Sequence, residues 1–189
     1  TVFNLRDRTR SHVMYYGFGD GATMRITNFE TRMEGNRPGG ISFKLNYGGN
    51  FVPVRLDGCF GKAQAYAAAA AACVGIAFGL NLIKIAEALL EYVAPPRRGK
   101  LSEGIKQTWI IDDTYNASPL SMKAAIHTME SLTAKRKIAV LGDMLEIGKY
   151  TPEAHEYIGD LVPKVFDILI TVGSRAKFIA EGAKESGMA

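Results

Sequence analysis

The chain has 189 residues, of which 47% are hydrophobic and 22% are charged, and this ordinary globular composition excludes a disordered or collagen-like polypeptide. The formal net charge is +4, and without a dense Lys/Arg cluster interleaved with aromatic residues nucleic-acid binding is not expected. Cys59 and Cys73 are not in a C-x-x-C spacing, so neither a zinc site nor a redox pair is predicted. The apolar stretch 65–80 is shorter than the roughly 20 residues of a membrane-spanning helix, so no membrane span is expected.

The first part of the chain has the alternating pattern of β-strands. Short strands are predicted at 12–17 and 23–29. Residues 41–56 predict an antiparallel hairpin, because two alternating segments flank the turn signal at 48–50. Pro53 has no backbone N–H and therefore predicts that the returning strand lies at a sheet edge.

Two helices are predicted to follow the strands. The alanine-rich segment 62–78 favours a helix that ends at Gly79, and apolar residues recur at helical spacing over 81–93. The two prolines in 94–99 break the second helix. They predict a boundary between one domain at 1–95 and another at 96–189.

Beyond the prolines, predicted strands and helices alternate. The strands are expected at 109–111, 137–142 and 168–173, and the helices at 119–132, 152–162 and 175–186. Nearly continuous apolar strands in such an alternation predict a parallel sheet covered by helices on both faces. The fold class is therefore α/β, with antiparallel strands and helices first and a parallel-sheet domain second.

Acidic residues follow two of these predicted strands. Asp112 and Asp113 come directly after the strand at 109–111, while Asp143 and Glu146 come after the strand at 137–142. Because ligands bind beyond the carboxyl ends of strands in open α/β sheets, the four acids would surround one crevice if the two strands are neighbours. The alternative is ordinary turn and N-cap chemistry.

Two further features bear on the hypothesis of an acidic crevice. Gly173-Ser174 at a third strand end suits an anion at a helix N-terminus, with a simple N-cap as the alternative. Arg97-Arg98 could clamp phosphate or carboxylate, or form a solvated basic turn. His155 is predicted to be a surface or packing residue. The chain lacks a G-x-x-x-x-G-K-[ST] loop, so it should not transfer phosphoryl groups by itself.

Two motifs resemble those of the Mur ligases. Residues 112–119, followed by Ser121-Met122, resemble the D-D-[ST]-Y-N-A-[NS]-P-x-S-M signature, and 141–148 with His155 resemble a G-D-M-x-E-L-G…H stretch. The resemblance implies the end of a central ATPase domain joined to most of a Rossmann-like C-terminal domain. It also implies that the chain is a fragment of a longer protein and is inactive alone.

The resemblance further implies an ATP-dependent ligase of peptidoglycan biosynthesis. Such an enzyme activates UDP-N-acetylmuramoyl-tripeptide as an acyl phosphate, which the amine of D-alanyl-D-alanine attacks. ATP and Mg²⁺ are the implied cofactors, with the Mg²⁺ ligands outside this chain, and a cytoplasmic monomer is expected. Another Mur-type amino-acid ligase, a folylpolyglutamate synthase relative and a non-catalytic nucleotide-binding or scaffold module are the alternatives.

The resemblance assigns nucleotide and catalytic roles to four residues. Asp113 resembles the acid that binds the ATP ribose hydroxyls, and Arg98 resembles the arginine that contacts the ATP phosphates, although the linker order differs from the family's Gly-Arg-Met. Tyr115 and Asn116 are the catalytic candidates, because they would line the junction near the reacting groups.

Four other residues complete the candidate site. Asp143, Glu146 and Ser118 are the substrate-binding candidates, and the first two are expected toward D-alanyl-D-alanine. Gln64 is the candidate for contacting adenine, because Ala67 stands where the family pattern has an asparagine.

Overall fold

The computed structural model describes residues 7–188 and has the predicted mixed α/β fold. The chain forms two compact units. The first unit contains the chain up to and including Glu30, together with Ser42–Asp57 and Lys62–Tyr92. The second contains Thr31–Ile41, Gly58–Gly61 and the chain from Val93 onward.

Four strands early in the chain form one sheet in the order β1-β2-β3-β4. They are β1 (Tyr16–Gly17), β2 (Met24–Glu34), β3 (Arg37–Tyr47) and β4 (Asn50–Asp57). The turn between β3 and β4 has φ of 57° at Gly48 and 79° at Gly49, which glycine adopts without steric strain. The predicted hairpin is confirmed, and the strand that carries Pro53 lies at the sheet edge.

Strands β2 and β3 extend further than the sequence predicts. They continue to a second tight turn at Gly35 and Asn36, where the φ of Gly35 is 61°. Burial within β2 is limited to Met24 and Ile26 near its start. The rest of this ribbon therefore has no alternating apolar face, which is the signal that would have revealed it.

Two helices complete the first unit, α1 (Lys62–Ala77) and α2 (Leu82–Leu90). Helix α1 buries a stripe of small side chains: Ala65, Ala68, Ala69, Ala72 and Cys73. The Asn81 side chain caps α2 by accepting a hydrogen bond of 2.9 Å from the Lys84 N–H. Within residues 7–188, no helix is both long and apolar enough to cross a membrane.

The second unit continues with four strands and three helices. They are β5 (Lys100–Glu103), β6 (Trp109–Asp112), α3 (Pro119–Glu130), β7 (Ile138–Gly142), α4 (Thr151–Leu161), β8 (Ile168–Val172) and α5 (Lys177–Glu185). Short 3₁₀ turns precede and follow α4. The strands β7 and β8 pair in parallel, with Ile138 opposite Ile168 and Gly142 opposite Val172.

The condition for one crevice of four acids was that the strands at 109–111 and 137–142 are neighbours, and it is not met among the described residues. Strand β6 instead pairs antiparallel with β5, with Lys100 opposite Asp112 and Glu103 opposite Trp109. No ladder joins β6 to β7 in the described part of the chain. Strand β5 was not predicted because Lys100–Glu103 has only one apolar side chain and thus no buried face.

The described helices cover one face of the parallel β7–β8 pair. Ala139, Leu141 and Leu169 face a core built from α3, α4 and α5. The opposite face exposes five β-branched residues: Ile138, Val140, Ile168, Ile170 and Val172. A continuous apolar strand pattern predicts two buried faces, but it does not specify which part of the chain covers each face.

Candidate functional site

The loop that follows β6 uses the first of its two acids to shape its own turn. One carboxylate oxygen of Asp112 accepts hydrogen bonds from the Thr114 hydroxyl at 2.7 Å and from the Thr114 N–H at 3.1 Å. These bonds, with a smaller contribution from the Arg97 guanidinium, hold the pKa of Asp112 below its usual value. Asp112 therefore has the turn-forming role that was the alternative to ligand binding.

The linker and the same loop are joined by Arg98 and Tyr115. The guanidinium carbon of Arg98 lies 4.0 Å from the centroid of the Tyr115 ring, which is a close cation–π contact. The Tyr115 N–H donates a hydrogen bond of 3.1 Å to the carbonyl of Arg97. The left-handed backbone of Arg97 (φ 64°) and Gly99 (φ 64°) turns the linker sharply at this point.

Asp113 lies beside this pair and has a different environment from Asp112. Partial desolvation raises the pKa of the Asp113 carboxyl, whereas a hydrogen bond from the Gly99 backbone and the charge of Arg98 oppose the increase. The charge of Asp112 adds to the increase. The residue as a whole remains exposed, so its carboxylate can accept hydrogen bonds from a ligand.

Asn116 and Ser118 make only local hydrogen bonds among those observed. The Asn116 side-chain oxygen accepts from the Ala117 N–H at 2.9 Å. Ser118 is the N-cap of α3 and forms a reciprocal capping box with Ser121, at 3.2 Å and 2.9 Å. The hydroxyl of Ser118 thus has a local partner. The catalytic role of Asn116 and the substrate-binding role of Ser118 stay predictions.

The acids after β7 lie in a loop of different character. One oxygen of Asp143 accepts hydrogen bonds from the N–H groups of Arg175 (2.9 Å) and Ala176 (2.7 Å), immediately before α5. Glu146 is exposed and has a left-handed backbone with φ of 62°, which is uncommon for this residue type. The expected crevice of four acids required β6 and β7 to be neighbours, and they are not joined.

Gln64 belongs to the first unit, where it is one of the few buried polar residues. Its side-chain oxygen accepts a hydrogen bond of 2.9 Å from the hydroxyl of Tyr92. This bond connects α1 with the segment that follows α2. The predicted contact of Gln64 with adenine stays a prediction.

His155 has a more defined role than the sequence suggested. It is fully buried and accepts a hydrogen bond from the Met144 N–H at Nε2, while its Nδ1 lies 2.6 Å from the Thr151 carbonyl. Helical position alone made it a surface or packing candidate. Its occurrence in the second motif, eleven residues from Met144, was the available signal for this contact.

The residues that could hold a nucleotide are therefore Arg98, Asp113 and Tyr115, which lie together at the end of β6. A guanidinium fork fits phosphate, and an exposed carboxylate fits vicinal hydroxyls. Within residues 7–188, no group of three or more His, Cys, Asp or Glu side chains is arranged to hold a metal ion.

Comparison with known proteins identifies the second part of the chain. Residues 97–189 match the family model "Mur ligase, glutamate ligase domain". A UDP-N-acetylmuramoyl-tripeptide–D-alanyl-D-alanine ligase from Bacillus subtilis is 38% identical over 135 residues, which are 70% of this chain and 28% of that relative. The matched region contains the nucleotide candidates Arg98, Asp113 and Tyr115.

Solved structures extend the similarity to almost the whole chain. A MurF structure from Acinetobacter baumannii aligns with a TM-score of 0.80 and 29% identity over 96% of this chain and 38% of that one. A MurF ligase from Thermotoga maritima, solved in complex with ADP, aligns with a TM-score of 0.76 and 25% identity over 93% and 40%. This chain spans about two fifths or less of each of these proteins. The chain belongs to the Mur ligase family.

Proposed function

We propose that this chain is part of an ATP-dependent ligase of peptidoglycan biosynthesis that joins D-alanyl-D-alanine to UDP-N-acetylmuramoyl-tripeptide. The name of the Bacillus subtilis relative and the two MurF structures support this substrate pair. The chain would supply the end of the central ATPase domain (1–95) and most of the C-terminal domain (96–189). The family-model match, which begins at residue 97, supports that division.

The contact of Arg98 with Tyr115 beside Asp113 is the observation that carries the proposal. In the proposed reaction, Asp113 accepts hydrogen bonds from the ribose hydroxyls of ATP. Arg98 binds the phosphates with two parallel N–H donors, and the Tyr115 ring restrains the plane of its guanidinium group. Tyr115 and Asn116 line the junction where the acyl phosphate meets the incoming amine.

These residues contribute mainly by positioning. Holding two anionic reactants and an amine in one geometry lowers the activation free energy, because it replaces encounters in solution with contacts inside one complex. Bound Mg²⁺ would neutralise phosphate charge, and its ligands are expected outside this chain. A cytoplasmic location and a monomeric state remain part of the proposal.

The test is phosphate release by the full-length protein with ATP, UDP-N-acetylmuramoyl-tripeptide and D-alanyl-D-alanine. We expect Asp113→Ala to raise the KM for ATP about tenfold or more, because a hydrogen bond to a charged group contributes about 1.5–3 kcal/mol. Asp20→Ala removes another exposed acid and is the matched control. An unchanged KM and rate in Asp113→Ala would reject the ribose contact.

The same assay separates the alternatives. Phosphate release with a single amino acid, but not with D-alanyl-D-alanine, would indicate another amino-acid-adding ligase or a folylpolyglutamate synthase relative. A full-length protein that binds nucleotide and consumes none of the amines would indicate a scaffold module. A G-x-x-G-K-[ST] loop upstream in the gene would argue against the scaffold, because that loop cradles the ATP phosphates.

A further inference from the structure

The loop that joins β7 to α4 is fixed at its centre by a buried histidine. The Met144 side chain is fully buried, and its backbone N–H donates a hydrogen bond of 3.0 Å to Nε2 of His155. The Nδ1 atom of His155 lies 2.6 Å from the carbonyl oxygen of Thr151. The ring therefore connects the middle of the loop to the first turn of α4.

These two contacts define the tautomer of His155. A carbonyl oxygen can only accept, so Nδ1 must carry the proton that it donates to Thr151. Nε2 is then free of a proton and can accept from Met144, as the geometry requires. Both ring nitrogens are used, and removal of the ring would leave a buried N–H at Met144 without this partner.

Further contacts hold the two ends of the loop. The Asp143 carboxylate is bound to backbone N–H groups before α5. At the other end, the Gly148 carbonyl accepts a hydrogen bond of 2.7 Å from the Thr151 hydroxyl, and the Ile147 side chain packs against the core. The loop is thus anchored on both sides of its exposed part.

Two consecutive side chains project from the anchored loop. Leu145 is 56% exposed, and Glu146 is exposed with a left-handed backbone. A non-glycine residue in that conformation costs about 1–3 kcal/mol and persists only where the surrounding structure enforces it. The anchors at Met144 and Ile147 directly flank these two residues and enforce the conformation.

We propose that His155 is a positioning residue that fixes the loop 143–148, so that the Glu146 carboxylate is presented in one conformation to the ammonium group of the amine substrate. The proposal rests on the proposed ligase function and adds a positioning residue that supports Glu146, which the resemblance had already named as a substrate-binding candidate. A carboxylate complements an ammonium ion, and a prearranged carboxylate binds it without a further loss of loop entropy.

The test compares His155→Leu, His155→Gln and Glu146→Gln in the full-length enzyme. We expect His155→Leu to raise the KM for D-alanyl-D-alanine about tenfold and to leave the KM for ATP within about twofold, since about 1.4 kcal/mol corresponds to a factor of ten. His155→Gln should keep the KM for D-alanyl-D-alanine close to that of the parent enzyme, because its amide oxygen can accept a hydrogen bond from the Met144 N–H. His127→Leu, at an exposed histidine on α3, is the matched control.

A double substitution tests the connection between the two residues. Glu146→Gln alone should raise the KM for the amine by a similar factor, and it should add little when His155 is already leucine. Full additivity would show that the two residues act independently and would overturn the proposal. Equal increases in the KM for ATP and for the amine would overturn it as well.

Hydrogen exchange of the Met144 amide provides a measurement that does not depend on turnover. We expect exchange to accelerate at least about tenfold in His155→Leu and to stay slow in His155→Gln. If His155→Leu does not fold, His155→Asn replaces it, because asparagine is too short to reach Met144. Unchanged exchange would overturn the anchor, whereas a parent enzyme inactive with D-alanyl-D-alanine would overturn the proposed function and the role of Glu146.

Discussion

The loops after β6 and after β7 begin with the same sequence feature and use it differently. Each places an acidic residue just beyond an apolar strand. At the end of β7, Asp143 is bound by two backbone N–H groups at the start of α5. At the end of β6, Asp113 remains exposed beside Arg98 and Tyr115.

The difference shows that the neighbouring groups decide whether an acid at a strand end stabilises the fold or remains available to bind a ligand. The partners of Asp143 lie 32 and 33 positions away in the sequence. The partners of Asp113 come from the linker, which the sequence had already marked as a candidate ligand site. We therefore expect substitution of Asp143 to affect mainly stability, and substitution of Asp113 to affect mainly binding.

The largest expected effect is that of Gly173→Ala, which tests how tightly the β7 end is packed. Gly173 has φ of 113°, and a Cβ there would overlap the Asp143 carboxylate. We expect a loss of about 3 kcal/mol in the free energy of unfolding, from backbone strain and steric overlap together. The only tryptophan of the chain, Trp109, lies in the second unit, so its fluorescence can follow urea unfolding of that unit.

Gly187→Ala is the control for the backbone contribution. Gly187 has a similar φ of 97° but has open space where a Cβ would lie. Its substitution should cost only about 1 kcal/mol, which is the backbone strain alone. Equal losses for the two glycine variants would mean that the Asp143 carboxylate does not restrict this turn.

Next in size is the direct comparison of Asp143→Ala with Asp113→Ala. Removal of the Asp143 carboxylate leaves the N–H groups of Arg175 and Ala176 without their acceptor, and an unsatisfied donor costs about 1–3 kcal/mol. Asp113→Ala should change stability by less than about 0.5 kcal/mol, as expected for an exposed position. The same fluorescence measurement applies, and a greater loss for Asp113→Ala would reverse the assignment of the two acids.

The features of the fold that the sequence predicted are those with local causes. The hairpin at Gly48-Gly49 needs only a positive φ at two glycines, and the helix at 119–130 begins with Ser118 and Pro119, which are a cap and a helix-starting residue. Strand β5 was missed because its pairing with β6, and not its composition, makes it a strand. Register with a distant segment has no local signal.

The candidate site likewise contains residues that the sequence predicted and a contact that it did not. The motif predicted Asp113 and Tyr115, and the structure brings both to Arg98. It did not predict that His155 would bind the Met144 N–H, because the second motif contains both residues but does not show which of their atoms meet. The role of Asp143 depends on backbone N–H donors, and these do not vary with residue type.

The smallest expected effects are pH-dependent, and they separate the two adjacent acids after β6. The pKa of Asp112 is lowered in the fold by its bonds to Thr114. Its ionised form therefore stabilises the fold at neutral pH, and this contribution is lost as the pH falls through the lowered pKa. The pKa of Asp113 is raised by desolvation, so its ionisation destabilises the fold as the pH rises from the ordinary aspartate pKa through the raised one.

Asn substitutions should therefore have opposite signs at neutral pH. Asp112→Asn should lower the unfolding free energy, Asp113→Asn should raise it slightly, and both differences should disappear in acid. Each should stay below about 1 kcal/mol, because both carboxyls reach solvent. Urea unfolding at a series of pH values measures the differences. Equal signs would mean that the two acids share one environment, and the contrast between an acid used for the turn and an acid left for a ligand would then be lost.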